Sequence, residues 1–207
     1  MTKKRIVILS GALLCFAFIA FIVVNSMRSG EAIGFDTAIR NGILEWRNQK
    51  LNPILIGITY LGNSNTIIFL CILLLFFKRS RVEYGMPLAI AVTCSSTIQT
   101  LIKIAVQRPR PPVENFLIPQ GGFSFPSGHS CSGLVFYGLF AYLLFHKAVD
   151  KIVYKVAGSL FIVLFAAIGM SRIYVGVHYP TDVLGGWALG LAILITAISI
   201  MEKLNKK

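Results

Sequence analysis

The 207-residue sequence predicts an all-α, polytopic membrane protein: a bundle of six transmembrane helices with a short interfacial helix after the first span. Hydrophobic residues make up 56% of the chain and charged residues only 14%, whereas soluble domains carry about 25% charged residues. Apolar segments approaching the roughly 20 residues that cross a bilayer recur along the whole sequence. Basic residues concentrate in alternate connections between these segments, as membrane topology requires.

Six apolar segments account for the spans, with snorkelling flanks where a segment is short. They cover residues 6–24, 54–77, 86–102, 130–145, 156–170 and 183–200. The first exceeds the roughly 7–15 apolar residues of a signal peptide and lacks an A-x-A-like cleavage site, so we expect an uncleaved anchor. The second is interrupted by Gly62-Asn63-Ser64-Asn65, which leaves open whether its membrane part begins there.

Residues 25–52, between the first two spans, predict a short amphipathic helix. Phe35, Ile39, Ile43 and Trp46 recur at helical spacing among polar residues. Such a pattern is typical of a helix that lies in the membrane interface.

The charge distribution predicts the orientation of the bundle. Six crossings place both termini on one side, and more than half of the 20 Lys and Arg residues fall on that side. Positive residues prefer cytoplasmic connections, so we expect a cell-membrane protein with both termini cytoplasmic. Topology and anionic lipids explain the net charge of +12 without a nucleic-acid partner. No obligate protein partner is predicted, and residues 1–207 are expected to form one domain.

The predicted spans also contain all four cysteines, namely Cys15, Cys71, Cys94 and Cys131. Without a C-x-x-C pair, they are interpreted as small core residues. Gly186 and Gly190 in the last span have a small-xxx-small spacing that predicts close helix packing inside the bundle.

Unusual polar residues collect at the outer ends of the last four spans. Lys103 and Arg110 follow the third span, FPSGHS opens the fourth, and SRIYVGVHYPTD joins the fifth to the sixth. Odd-numbered spans end outside and even-numbered spans begin there, so all three segments face the same aqueous side. Ionisable groups at this depth usually line a cavity or pair with one another.

These residue types suit a phosphate. Arg110 and Arg172 offer forked donors for oxyanions, and Lys103 adds a third positive charge. Gly128 allows close backbone approach at a helix N-terminus, where N–H groups point at an anion. Ser127 adds a hydroxyl donor, and together these five residues predict a phosphate-binding site.

Two histidines supply chemistry for phosphoryl transfer. His178 precedes Asp182 by one helical turn, so the carboxylate can accept from one imidazole nitrogen and leave the other as a nucleophile. His129 is placed to protonate the departing oxygen and then to activate water. No carboxylate cluster on the outer face offers the oxygen ligands that magnesium prefers, so neither a metal ion nor another cofactor is predicted.

Each fragment alone has a simpler interpretation. Ser127 can serve only as a helix cap, His178 as a hydrogen-bonded structural residue, and Arg172 as a side chain that snorkels to headgroups. Arg108 falls inside the motif spacing and is ambiguous, since it could bind headgroups or nothing. The catalytic interpretation depends on the motifs being taken together.

Taken together, the motifs resemble the signature of the type 2 phosphatidic acid phosphatase superfamily, in its integral-membrane bacterial branch. The matching parts are K-x6-RP from Lys103, PSGH ending at His129, and SR-x5-H-x3-D ending at Asp182. The resemblance implies a nucleophile at His178, an orienting carboxylate at Asp182 and a general acid at His129. It implies phosphoryl binding by Lys103, Arg110, Ser127, Gly128 and Arg172, without a metal ion.

The expected function is therefore hydrolysis of a lipid phosphate at the extracytoplasmic membrane face, through a phosphohistidine intermediate. Phosphatidylglycerol phosphate, undecaprenyl diphosphate and phosphatidic acid all fit a site reached from the bilayer. A lipid phosphotransferase, a non-catalytic transporter of anionic lipids and a haloperoxidase-like use of the pocket remain alternatives.

Overall fold

A computed structural model describes residues 1–147 and 151–204, and these residues form helices and connecting turns without a strand. Nine α-helices follow one another in this described part. They are α1 Lys3–Ser29, α2 Gly34–Glu45, α3 Leu51–Leu61, α4 Ser64–Phe76, α5 Lys78–Ser80, α6 Met86–Val106, α7 Gly128–Lys147, α8 Ile152–Tyr174 and α9 Pro180–Leu204. A π-helical segment, Arg81–Gly85, joins α5 to α6.

The predicted six-span bundle is confirmed when α3 and α4 are counted as one broken span. Within the described residues, five continuous helical segments are long and apolar enough to cross a membrane. They are Lys3–Ser29, Lys78–Val106, Gly128–His146, Ile152–Tyr174 and Pro180–Leu204. Helices α3 and α4 satisfy the same criterion together but meet at an angle of 51°. Asn63 begins α4 by accepting a hydrogen bond from the Asn65 backbone.

Helix α7 lies at the centre of the bundle. Of its membrane segment, 67% is buried, against 11% for α1, which presents Leu14, Phe18 and Phe21 outward. A Cβ atom on Gly186 would lie 2.6 Å from the Ser127 carbonyl oxygen, so α9 and the start of α7 pack almost backbone to backbone. This confirms the packing predicted from the glycine spacing.

Helix α2 occupies the region where the sequence predicts an interfacial helix. Its apolar residues Phe35 and Ile39 are exposed, as is Trp46 immediately after it. Asp36, on another face of the same helix, is only 2% exposed. The helix therefore presents an apolar face outward and a carboxylate inward.

The start of α1 and the end of α9 meet at the opposite end of the bundle from the helix ends that carry the motifs. Arg5 near the start of α1 donates to both Glu202 carboxylate oxygens near the end of α9, at 2.5 and 2.6 Å. This contact agrees with an even number of crossings between the two residues.

Candidate active site

Four helix ends bring the predicted site residues to one end of the bundle. Lys103 lies in the last turn of α6 and Arg172 in the last turn of α8. His129 lies in the first turn of α7 and Asp182 in the first turn of α9. The Ser127 backbone N–H donates to the Asp182 carbonyl at 2.9 Å, which ties the start of α7 to the start of α9.

His178 and Asp182 form a buried pair, 2% and 0% exposed. The His178 Nδ1 atom lies 3.3 Å from Asp182 Oδ2, and its Nε2 atom lies 3.2 Å from Arg110 Nη1. A carboxylate can only accept, so it selects the tautomer with the proton on Nδ1. The Nε2 lone pair is then directed towards the cationic side of the site.

The environment of His178 keeps its imidazole neutral. Burial lowers the pKa of His178 to about 3, and the positive charges of Arg172 and Arg110 act in the same direction, while Asp182 opposes them. Arg110 is also partly desolvated, and burial lowers its pKa to about 10, so it stays charged at neutral pH. A neutral imidazole beside fixed positive charges is the state that a nucleophile requires.

The three predicted cationic residues converge on the loop before α7. Lys103 Nζ donates to the Phe123 carbonyl at 2.8 Å, and Arg110 Nε donates to the Gly122 carbonyl at 2.9 Å. Arg172 donates to the side chain of Gln120 at 2.5 Å. The three cationic side chains thus direct donors towards oxygens of residues 120–124.

Arg172 does not snorkel to headgroups, because it is 1% exposed. Besides Gln120 it donates to the Thr59 hydroxyl at 2.7 Å, which fixes it against α3. Its Nε atom is buried and has no hydrogen-bond partner among the described residues. An uncompensated donor of this kind is costly unless a ligand satisfies it.

His129 shares this end of the bundle with His178. Its half-buried ring lies within electrostatic reach of Arg172, His178, Arg110 and Lys103. On its other side, the ring packs against Gly62 at the break between α3 and α4, where a Cβ atom would lie 3.2 Å from His129 Cδ2. The helix break therefore makes room for His129.

Ser127 caps the N-terminus of α7, and its hydroxyl hydrogen remains available to donate. Its buried Oγ atom accepts from the Ser130 backbone N–H at 3.4 Å and from the Ser130 hydroxyl at 2.9 Å. Among the described residues, no hydrogen bond is donated by the Ser127 hydroxyl itself. The first backbone N–H groups of α7, at Gly128 and His129, lack intrahelical acceptors by helix geometry. Capping and anion binding are therefore compatible at this turn.

The sequence interpretation missed several residues that hold the histidine–aspartate pair. Ser124 donates to Asp182 Oδ2 and lies 3.3 Å from His178 Nδ1. Arg108 is 6% exposed and donates to Asp182 Oδ1 at 2.6 Å and to Asp36 at 2.7 Å. Arg108 lies inside the first motif, where the sequence left its role open, and Ser124 lies just before PSGH, so proximity in sequence was an available signal. Asp36 lies 145 residues from its partner Thr181, and no sequence pattern indicated it.

Metal-ligating side chains do not gather here. Within residues 1–147 and 151–204, no three His, Cys, Asp or Glu side chains come together in a way that could hold a metal ion. The charge that would face a phosphate in this site comes from Lys103, Arg110 and Arg172.

Comparison with known proteins assigns the chain to a family. The sequence profile of the PAP2 superfamily matches residues 84–206, which include every motif described above. The chain belongs to the PAP2 superfamily. Its PAP2 relatives include phosphatidylglycerophosphatase B from Bacillus subtilis, 31% identical over 198 residues that cover 91% of this chain and 95% of the relative. An undecaprenyl-diphosphatase from Sulfolobus acidocaldarius is 29% identical over 91% of this chain and 89% of its own length.

The PAP2 fold is shared over nearly the whole chain. The crystal structure of a transmembrane PAP2 type phosphatidylglycerolphosphate phosphatase from Bacillus subtilis superposes with a TM-score of 0.81 and 29% identity. The superposition covers 95% of this chain and 96% of the other. The predicted all-α membrane fold is confirmed, and the PAP2 chain is an enzyme of the phosphatase class that hydrolyses phosphoric ester or diphosphate bonds.

Proposed function

We propose that the protein is a metal-independent lipid phosphate phosphatase that works through a phosphohistidine at His178. The observation that carries the proposal is the orientation of the His178 ring: Nδ1 faces Asp182, and Nε2 faces the Arg110 guanidinium. A neutral imidazole held this way presents a lone pair where a phosphate would be bound.

In the first half-reaction, Nε2 of His178 attacks phosphorus and the bond from phosphorus to the leaving oxygen breaks. His129 gives its proton to that oxygen, and the dephosphorylated lipid departs. Lys103, Arg110 and Arg172 stabilise the negative charge on the equatorial oxygens in the transition state. Asp182 stabilises the positive charge that develops on the His178 ring.

In the second half-reaction, water attacks the phosphohistidine. Neutral His129 accepts a proton from this water as the bond from nitrogen to phosphorus breaks. Inorganic phosphate leaves, the Nε2 lone pair returns to His178, and His129 is protonated for the next turnover. The net reaction consumes one water and releases one phosphate.

The proposed substrates are membrane lipids with a terminal phosphate or diphosphate. Two relatives are named for phosphatidylglycerophosphate and undecaprenyl diphosphate, and both are similar to this chain over 91% of its length. The site lies at the end of a bundle whose outer helices expose apolar side chains, which suits lateral entry from the bilayer. Charge distribution supports an extracytoplasmic site in the cell membrane, with both termini cytoplasmic.

The direct test measures phosphate release from purified protein in mixed micelles. Phosphatidylglycerol phosphate, undecaprenyl diphosphate and phosphatidic acid are compared, each with and without excess chelator. We expect turnover of at least one lipid, unchanged by the chelator. No release from any of these lipids would refute the proposal, and loss of activity with the chelator would refute the metal-independent mechanism.

His178→Ala tests the nucleophile, with Arg28→Gln at an exposed position as the control. We expect the alanine variant to lose several kcal/mol of transition-state stabilisation, which is a fall in kcat/KM of at least about 10³-fold. Enzyme quenched with alkaline detergent after mixing with ³²P-labelled substrate should carry label that is stable to alkali and labile to acid. Turnover by His178→Ala at the wild-type rate would exclude the phosphohistidine and favour a transporter-like site with adventitious hydrolysis.

Product analysis with added lipid acceptors distinguishes a hydrolase from a phosphotransferase. We expect water to be the acceptor, so that released phosphate equals consumed substrate. A phosphorylated acceptor lipid appearing in place of free phosphate would instead assign the chain to phosphotransfer.

A further inference from the structure

A buried network connects the interfacial helix α2 to Asp182. Arg108 forms ion pairs with two carboxylates, through Nη1 to Asp182 Oδ1 at 2.6 Å and through Nη2 to Asp36 Oδ2 at 2.7 Å. Asp36 also accepts from the Thr181 backbone N–H at 2.8 Å and from the Thr181 hydroxyl at 2.7 Å. All four residues are at least nine-tenths buried.

The network determines how Asp182 is oriented. Oδ2 of Asp182 faces His178, Ser124 and the Tyr179 backbone, while Oδ1 faces Arg108. With Arg108 fixed on one oxygen, the carboxylate cannot rotate without breaking a buried ion pair. The other oxygen is thereby held on His178 Nδ1.

Asp36, on helix α2, also holds the first turn of α9, the helix that carries Asp182. Its carboxylate holds the backbone of Thr181, the residue immediately before Asp182, in the first turn of α9. Since Arg108 spans Asp36 and Asp182, the guanidinium has a fixed position relative to both helices. The Arg108 side chain also lies over the Tyr179 ring, 4.2 Å from its centroid, which leaves it little freedom.

We propose that Arg108 and Asp36 are positioning residues for the His178–Asp182 pair, so that the interfacial helix α2 forms part of the catalytic apparatus. The proposal rests on the proposed phosphatase function for its kinetic consequences. It does not require either residue to contact phosphate, since the donors described for phosphate binding belong to other side chains.

The kinetic test compares Asp36→Asn and Arg108→Gln with the wild type on the lipid that the wild type hydrolyses best. Glu45→Gln, exposed on the same helix, and Arg28→Gln, an exposed arginine, are matched controls. We expect kcat to fall about 10–100-fold in both network variants, as when partners of metal-binding histidines are removed, with KM nearly unchanged. The controls should retain wild-type kcat. Wild-type kcat in both network variants would overturn the proposal.

Chemical rescue separates positioning from a general loss of structure. A cavity of about 340 Å³, lined in part by Asp36, Arg108, Pro109 and Tyr179, adjoins the network. Arg108→Ala should therefore regain kcat on addition of guanidinium ion at concentrations that leave the wild type and Arg28→Gln unaffected. A variant that keeps the wild-type unfolding temperature but shows no rescue would contradict an electrostatic role for Arg108.

A spectroscopic readout does not depend on turnover. In protein labelled with ¹⁵N-histidine, His178→Gln identifies the His178 resonances, and we expect a downfield, hydrogen-bonded Nδ1 proton in the wild type. It should be lost or broadened in Arg108→Gln and Asp36→Asn but kept in Glu45→Gln. Retention in both network variants would overturn the proposal even if their kcat fell.

The two readouts keep this inference apart from the proposed function. If no lipid is hydrolysed by the wild type but the proton signal depends on Arg108, the proposed function fails and the positioning role stands. If Asp36→Asn does not fold, Thr181→Val, which removes one hydroxyl from the network, is measured in the same way. Normal kcat and a normal signal in Thr181→Val would then count against the proposal.

Discussion

At the scale of single residues, the site combines a buried neutral imidazole with cations that are held on carbonyl oxygens. Lys103 and Arg110 donate to the loop of residues 120–124, and Arg172 donates to Gln120 in the same loop. Because these donors are already oriented, the proposed phosphate binding would exchange one set of oxygen acceptors for another. Preorganisation of this kind lowers the cost of stabilising charge in the transition state.

His129→Ala should impair poor leaving groups more than good ones. Without a proton donor, an alkoxide leaving from a lipid phosphate is disfavoured, whereas an activated aryl phosphate needs little assistance. We expect kcat/KM to fall about 10²–10⁴-fold for the lipid and much less for the aryl ester. Steady-state rates with both substrates check this, and equal losses would exclude a general-acid role.

The low pKa of His178 predicts acid sensitivity of the fold. The unfolded imidazole has a pKa of about 6.5, whereas burial beside Arg110 and Arg172 lowers the pKa of His178 to about 3 despite Asp182. The unfolded state therefore binds a proton that the folded state does not. The stabilising contribution is intact above pH 6.5 and is lost progressively as pH falls towards 3.

At pH 5.5 this difference is on the order of 1 kcal/mol of unfolding free energy. Apparent unfolding temperatures in phosphate-free detergent solution at pH 7.5 and 5.5 measure it. We expect His178→Gln to lose less stability over this range than the wild type, while Arg28→Gln, at an exposed position, behaves like the wild type. If His178→Gln lost as much stability between pH 7.5 and 5.5 as the wild type does, His178 would not be the residue that makes the fold acid-sensitive.

At the scale of helices, the break between α3 and α4 leaves space for the His129 ring. The sequence predicted an interruption at Gly62-Asn63, and the structure places Gly62 against His129 and Ile168. What the sequence could not indicate is which residue uses the space. That depends on α7, which reaches the same place from elsewhere in the chain.

Gly62→Ala should therefore reduce activity by displacing His129. The new Cβ atom would lie 2.4 Å from Ile168 Cγ2 and 3.2 Å from His129 Cδ2, so neighbouring atoms must move. We expect a fall in kcat of up to about 10²-fold, as for small misplacements of catalytic groups. Gly57→Ala in α3 is the control, because no heavy atom beyond its own stretch of helix lies within 4 Å of its Cβ position.

Steady-state kinetics and the unfolding temperature of both glycine variants complete this test. Gly57→Ala should keep wild-type kcat and gain a little stability from its better helix propensity. Equal kcat in the two variants would show that the break does not serve His129.

At the scale of the whole molecule, alternating span direction gathers the motifs. Helices α6 and α8 end where α7 and α9 begin, so residues separated by up to 79 positions, from Lys103 to Asp182, reach one end of the bundle. The Arg5–Glu202 pair marks the opposite end. Their separation makes the sidedness of the site directly testable.

The charge distribution predicts that the site end faces outward. With the four cysteines replaced by alanine, Glu114→Cys near the site should react with a membrane-impermeant maleimide in sealed right-side-out vesicles. Lys78→Cys, in the connection between α4 and α6, should react only after permeabilisation. The reverse labelling pattern would place the site on the cytoplasmic side.

The sequence by itself determined the all-α membrane class, the approximate spans and the gathering of Lys103, His129, Arg172 and Asp182 at one end. These properties depend on hydrophobic length and on the alternation of span direction, both of which are local in the chain. The His178–Asp182 contact was equally predictable, because one helical turn separates the two residues.

Only the tertiary structure decided what holds that pair in place. Asp36 and Thr181 are 145 positions apart, and Arg108 meets Asp182 across 74. Contacts at such separations follow from how α2 and α9 pack rather than from any period or spacing in the sequence. The physical reason is that a buried carboxylate must find its donors wherever the folded chain presents them.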